Sequence, residues 1–217
     1  MDIIGLNFGE FNSSACFIRN GKVEIAIQEE RFNREKKTKL FPKKSLKYIL
    51  DISNLKLKEI NAFAQSWNPG AKWVNFNPMI SKNRFSREEY FYTVADNLYE
   101  FIERSPKDYV IMECGGDLPP IYFVQHHRCH AANAFFLSNF QKAAFLTADW
   151  QGELECITKG LGNANNLEVI DTQWLPHSIG LFYATFTQLL GYKPDNDEWK
   201  VMALSAVDTN YREYEKR

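Results

Sequence analysis

The sequence predicts an α/β chain built as two lobes, and three observations carry that expectation. Three short apolar runs open the chain, "DIIGLNFG", "SSACFIRN" and "KVEIAIQEE", separated by turn residues as in an antiparallel strand triplet. The same succession returns at "KAAFLTADW", "GELECITKG" and "NNLEVIDTQW". Between and after the triplets stand stretches with helical spacing of apolar residues. Residues 1–140 are therefore expected to form a first lobe and 141–217 the beginning of a second, which stops before a matching set of elements is complete.

Each element has its local reason. Asn20-Gly21 is a type I′ hairpin signal joining the second and third runs, because both residues tolerate the positive φ that the turn requires. Pro42 suits a first helical turn, and "KKSLKYILDIS" carries Leu46, Ile49 and Leu50 on one helical face. "EINAFAQSW" reads as a fourth strand. "SREEYFYTVADNLYEFIER" reads as a long amphipathic helix with Ser86 and Glu89 at capping-box spacing. The stretch between them, "NPGAKWVNFNPMISKN", is too aromatic for a disordered linker. "PIYFVQ" is a short strand, and "HHRCHAANAFF" the helix after it. In the second lobe the strand triplet leads into a helix, "PHSIGLFYATFTQLL", expected to start at Pro176 and stop at Gly191, with a further helical stretch near "EWKVMALSA".

Composition narrows the classes of function. At 217 residues, 45% hydrophobic and 15% aromatic, the chain can bury a sizeable core. A formal net charge of −1 and a pI near 6.4 provide no whole-protein field for nucleic acid or an anionic membrane. No run reaches the roughly 20 apolar residues that cross a bilayer, and "MDIIGLNFGE" lacks the pattern of a signal peptide, so the expected compartment is the cytoplasm. Cys16, Cys114, Cys129 and Cys156 have no CxxC spacing and are expected as free thiols. Arg34, Lys36, Lys37, Lys39, Lys43, Lys44 and Lys47 make a local basic run, read as a solvated loop and helix start because it lacks flanking aromatics that would stack bases.

Three of the four histidines lie in residues 126–136. On a helix His126 and His130 stand at i and i+4, so both imidazoles leave one face a turn apart. That arrangement makes either a bidentate metal face or an ordinary polar helix edge. Asp149, at the end of the strand "AAFLTAD", adds a carboxylate where the second lobe faces the cleft; two His and one carboxylate form a facial ligand set with open positions. A zinc-finger reading with Cys114 fails for want of a fourth ligand, and no Glu follows the first His as in HExxH.

At these residues the chain resembles the amino-terminal half of the O-carbamoyltransferases of the nodulation and antibiotic-biosynthesis type. Their main domain is similar to the tRNA threonylcarbamoyl-transfer protein and has the actin/Hsp70-like ATPase fold, whose lobes are ribonuclease H-like. Six segments carry the resemblance in order: "GLNFGEFNSSACF", "IQEERFNREKKTKLFP", "HHRCHAANAFF", "LTADWQGE", "PHSIGLFYATFTQLLGY" and "DNDEWKVMALSA". The resemblance implies that His126, His130 and Asp149 hold a divalent metal, iron first and zinc or manganese after it. It also implies that ATP and carbamoyl phosphate yield a carbamoyl-adenylate, whose carbamoyl group passes to a hydroxyl acceptor. The acceptor class ranges over a sugar, an antibiotic-like metabolite and a modified nucleobase.

By the same resemblance Asn12, Ser13, Glu30, Arg31, His177 and Ser178 are expected at substrate or phosphate, with Asp149 and Lys200 in catalysis. Without it, Glu29, Glu30 and Arg31 read as a solvated strand end and Lys200 as a surface lysine, while His177 reads equally as a cap neighbour or an anion contact. Three departures stand out: Phe11-Asn12 and Lys37-Thr38 replace His-Asp pairs of the family pattern, and the Gly-bearing continuation after "KVMALS" is absent. They favour a second class of function beside the enzyme, a non-catalytic metal- or nucleotide-binding subunit whose second lobe is completed by another polypeptide.

Overall fold

The computed structural model describes residues 1–9, 12–68 and 119–207. Phe11, Cys114, the expected helix with Ser86 and Glu89, and all of the loop before it except Asn68 lie outside the described residues.

The opening triplet forms as the alternation requires. Strands β1 (Asp2–Asn7), β2 (Ser14–Arg19) and β3 (Lys22–Gln28) pair antiparallel, with Ile4 opposite Phe17 and Leu6 opposite Ala15. Asn20 and Gly21 take φ of 50° and 80°, the left-handed pair of a type I′ turn. Next comes a single turn, α1 (Glu30–Asn33), then α2 (Lys43–Ser53), β4 (Ala62–Gln65) and β5 (Ile121–Phe123). The last two strands add parallel to the other edge of β1, giving the order β3-β2-β1-β4-β5. An antiparallel triplet continued by parallel strands is the ribonuclease H-like arrangement. Ile4, Leu6, Ala15, Phe17 and Phe63 present one apolar face, and Leu46 and Ile49 of α2 close over it.

What starts α2 is a residue from the preceding strand end. Pro42 at the N-cap makes no side-chain cap. Instead the buried Glu29 carboxylate accepts the N–H groups of Lys44 (3.0 Å) and Ser45 (2.8 Å) and the Ser45 hydroxyl (2.7 Å). Two first-turn N–H groups that a helix cannot satisfy itself are thereby paired with a negative charge.

The second triplet, β6 (Lys142–Ala148), β7 (Glu155–Asn163) and β8 (Asn166–Trp174), is a separate antiparallel sheet in that order. The histidine helix α3 (His126–Phe136) packs on it through Ala131 and Phe135 against Phe145 and Leu167. A side chain at Gly162 of β7 would put its Cβ 2.6 Å from the Phe135 ring, so the close seating of the helix requires glycine there. By its packing, α3 belongs with the sheet that follows it in sequence.

Helix α4 (Ile179–Leu189) starts three residues later than expected. Pro176 lies in the turn before it, and Ser178 is the N-cap because its hydroxyl can accept the Leu181 N–H (3.0 Å), which proline cannot do. Helix α5 (Glu198–Leu204) ends the described chain. Among the described residues Cys16, Cys129 and Cys156 are free thiols, and no helix is long and apolar enough to cross a membrane. Burial pushes the Cys129 thiol up to about 12, as suits a packed side chain and not a nucleophile.

Replacing Glu29 by Ala leaves three donors at the start of α2 without their acceptor. The expected loss is about 1–3 kcal/mol of unfolding free energy, read as a lower urea midpoint. An unchanged midpoint would contradict the capping role.

Candidate metal centre

Two periodicities deliver the site. Along β6 the side chains alternate, so Phe145 and Thr147 face α3, and Asp149, one step past the strand end, continues on the same side. Along α3, His127, Ala131 and Phe135 form the buried line. His126 and His130 stand beside that line, partly exposed, a turn apart.

The three side chains converge. His126 Nε2 lies 3.0 Å and His130 Nε2 3.2 Å from Asp149 Oδ2, and the two Nε2 atoms are 2.9 Å apart. The imidazole planes stand at 85°, with centroids 4.5 Å apart. Three basic atoms aimed at one point repel one another unless a proton or a cation lies among them. Ligands about 2.1 Å from a shared ion and at right angles to one another would themselves stand about 3.0 Å apart. The donor set and its spacing therefore fit one face of an octahedral site, with the opposite positions open for substrate or water.

The surroundings keep the Asp149 carboxylate ionised and the triad oriented. Burial would raise the Asp149 carboxyl, but the hydrogen bonds from His126 and His130 outweigh it and keep the group well below the usual carboxylate range. Its other oxygen accepts the Trp150 N–H at 2.7 Å. For His126, burial pulls the imidazole down, yet the Asp149 hydrogen bond and charge, with the charge of Glu153, overcome it and the net shift is upward. The Ser178 hydroxyl reaches the carbonyls of Asp149 (3.1 Å) and Trp150 (2.6 Å), so the residue expected at phosphate also grips the turn that carries the carboxylate.

The other expected site residues are spread more widely. Beside Asp149 opens a cleft of about 460 Å³, lined also by Trp150, Gly180, Tyr183, Asp195 and Glu198. Lys200 follows this wall on α5 and pairs with Asp197 at 3.0 Å. His177 is exposed and lines a neighbouring cleft with Gln173 and Phe182. Beside the first sheet Asn12 is exposed in the β1–β2 turn at φ 55°, and Ser13 is buried next to it, its hydroxyl without a hydrogen-bond partner among the described residues. Glu30 Oε2 accepts the Lys37 N–H at 3.1 Å, while Arg31 is exposed on α1. Lys37, at one of the departures from the family pattern, reaches the segment before α5 and donates to Asp195 O (2.9 Å) and Asn196 Oδ1 (3.1 Å).

Two residues beside this triad escaped the sequence reading. His127 is buried with Nδ1 2.7 Å from Thr147 Oγ1. Glu153 is buried against the start of α3, accepting the His126 N–H at 2.9 and 3.1 Å and the Asn68 N–H at 2.6 Å. A pointer to Glu153 was its place four residues beyond Asp149, in a short turn with little room to expose it.

Residues 2–212 match the family model described as carbamoyltransferase N-terminus, and the chain belongs to that family. An uncharacterized protein of Synechocystis sp., sll1178, is 32% identical over 94% of this chain and 34% of its own length. The nodulation protein NolNO of Sinorhizobium fredii is 29% identical over 89% of this chain and 27% of its own. The chain thus spans about a third of the length of these curated relatives. Among solved structures, YeaZ from Pseudomonas aeruginosa aligns over 81% of this chain and 67% of that one, at TM-score 0.42 and 13% identity.

His127 gives the metal-free chain a pH dependence of defined sign. Burial first, then the neighbouring His126, lowers its imidazole from 6.5 to about 4. The unfolded chain then binds more protons across that interval, so the contribution of His127 is full above the ordinary pKa and lost as pH falls toward 4. Its size is on the order of 3 kcal/mol. Urea unfolding with chelator present should show His127→Gln losing less stability than wild type between about pH 7 and 4. Parallel losses in the two proteins would contradict the assignment.

Proposed function

We propose that this chain is the metal- and substrate-binding amino-terminal part of an ATP-dependent O-carbamoyltransferase. The overall reaction takes the carbamoyl group of carbamoyl phosphate, through carbamoyl-adenylate, to a hydroxyl acceptor. In the transfer step the acceptor oxygen forms a bond to the carbamoyl carbon, the bond from that carbon to the phosphate oxygen breaks, AMP departs and the hydroxyl proton is released. The observation that carries the reading is the convergence of His126, His130 and Asp149 in a chain of the carbamoyltransferase family.

His126 and His130 supply neutral nitrogen ligands and Asp149 a charged oxygen, a set suited to iron, with zinc or manganese as alternatives. A divalent ion held there supplies Lewis acidity toward phosphate or carbonyl oxygens. The chain's own residues supply orientation. Ser178 fixes the turn of Asp149, and the cleft beside it, lined by Trp150 and Tyr183, is the one we assign to the acceptor. Asn12, Ser13, Glu30, Arg31 and His177 are assigned to substrate or phosphate, and Lys200 to a point charge at a phosphate or carbonyl oxygen, by family resemblance.

A second reading, a metal- or nucleotide-binding subunit completed by another polypeptide, is supported by apolar surface on the second lobe. Phe182, Leu189, Trp199 and Met202 are each more than half exposed, and β6 is an edge strand of its sheet among the described residues. The two readings separate in an assay with carbamoyl phosphate, ATP and polyol acceptors. Run with the remaining, carboxyl-terminal portion supplied, an enzyme part supports release of AMP with a carbamoylated acceptor, whereas a non-catalytic binding subunit supports none.

Replacing both His126 and His130 by Ala should abolish tight metal binding and leave the fold intact, as measured by elemental analysis and circular dichroism. Equal metal content in variant and wild type would refute the ligand assignment.

A further inference from the structure

We propose that Glu153 is the positioning residue of this centre, a buried carboxylate that ties the turn bearing Asp149 to the helix bearing both imidazoles. The inference rests on the reading of His126, His130 and Asp149 as metal ligands. Glu153 is only 4% exposed, and every partner of its side chain is a backbone N–H. One is that of His126, the first residue of α3, which no intrahelical carbonyl can satisfy. Gln125, at the N-cap, makes no side-chain cap. The contact therefore fixes where α3 begins, and through the helical repeat where His130 stands a turn later.

The same carboxylate lies four residues beyond Asp149 in a turn that is itself fixed. Asp149 N donates to Cys156 O (2.9 Å) and Gly152 N to Glu155 O (2.6 Å). Gly152 lets the turn lie on the helix: a Cβ there would meet His127 Cδ2 at 2.8 Å and His126 Cβ at 3.3 Å. The Asn68 N–H, on the segment after β4, binds the same oxygen that accepts at 3.1 Å from His126. Glu153 thus joins the first sheet's end, the ligand helix and the ligand turn at one point. A glutamine cannot replace it, because both oxygens accept the His126 N–H and an amide NH₂ in either place would face a donor.

The test is a Co²⁺ titration of the chain, read by visible absorption, on wild type, His126→Ala, Glu153→Gln and Gly152→Ala, with folding of each checked by circular dichroism. Glu153→Gln is isosteric and Gly152→Ala leaves every ligand and the carboxylate present, so one can report if the other does not fold. Folded Glu153→Gln and Gly152→Ala should each bind Co²⁺ about tenfold or more weakly than wild type and with an altered spectrum. Wild-type affinity and spectrum in both, with binding lost in His126→Ala, would overturn the positioning role and leave the ligand assignment standing. Wild type and His126→Ala binding alike would overturn the ligand assignment and the proposal with it.

Discussion

The seating of Phe135 across Gly162 and against Phe145 is the contact on which the site depends. It fixes the rotation of α3 over the second sheet and so decides which side chains of β6 face the helix. With Phe145 and Thr147 turned toward α3, the next residue on that side is Asp149. With His127, Ala131 and Phe135 buried, His126 and His130 fall at the border of the packed face, partly exposed and beside Asp149. This packing, together with the Glu153 tie at the start of α3, holds three donor atoms together with one side accessible.

Buried carboxylates recur as the device that starts helices here. Glu29 accepts two first-turn N–H groups of α2 and Glu153 the His126 N–H that opens α3, where Pro42 and Gln125 make no cap of their own. Helix α4 is capped instead by its own Ser178, which also holds the carbonyls of the Asp149 turn. Both arrangements set helix ends against neighbouring strands and turns. Around the imidazoles they also gather negative charge, Asp149 in contact and Glu153 behind, which suits a cation between the ligands more than an anion.

Much of the fold was legible because it is written in local period and turn chemistry. The antiparallel triplets, the Asn20-Gly21 turn, α2 over 43–53 and the histidine helix over 126–136 all follow from residues within reach of one another. The convergence of His126 and His130 from i and i+4 was legible for the same reason, and that of Asp149 through its place at a strand end. Glu29 and Glu153 were not legible in these roles, since they cap helices 15 and 27 residues away through contacts that only the assembled sheets create. The start of α4 was misread because Pro176 satisfies a first-turn preference equally well from the preceding turn, and only the Ser178 hydroxyl bond distinguishes the two. Family resemblance supplied the chemistry that no spacing contains, namely the carbamoyl group.

The central claim is that His126, His130 and Asp149 share one metal ion. X-ray absorption at the metal edge of the purified chain tests it most directly. The account predicts a fine structure with two imidazole shells and further nitrogen or oxygen ligands at about 2.1 Å. A spectrum dominated by sulfur at about 2.3 Å, or lacking imidazole scattering, would contradict it.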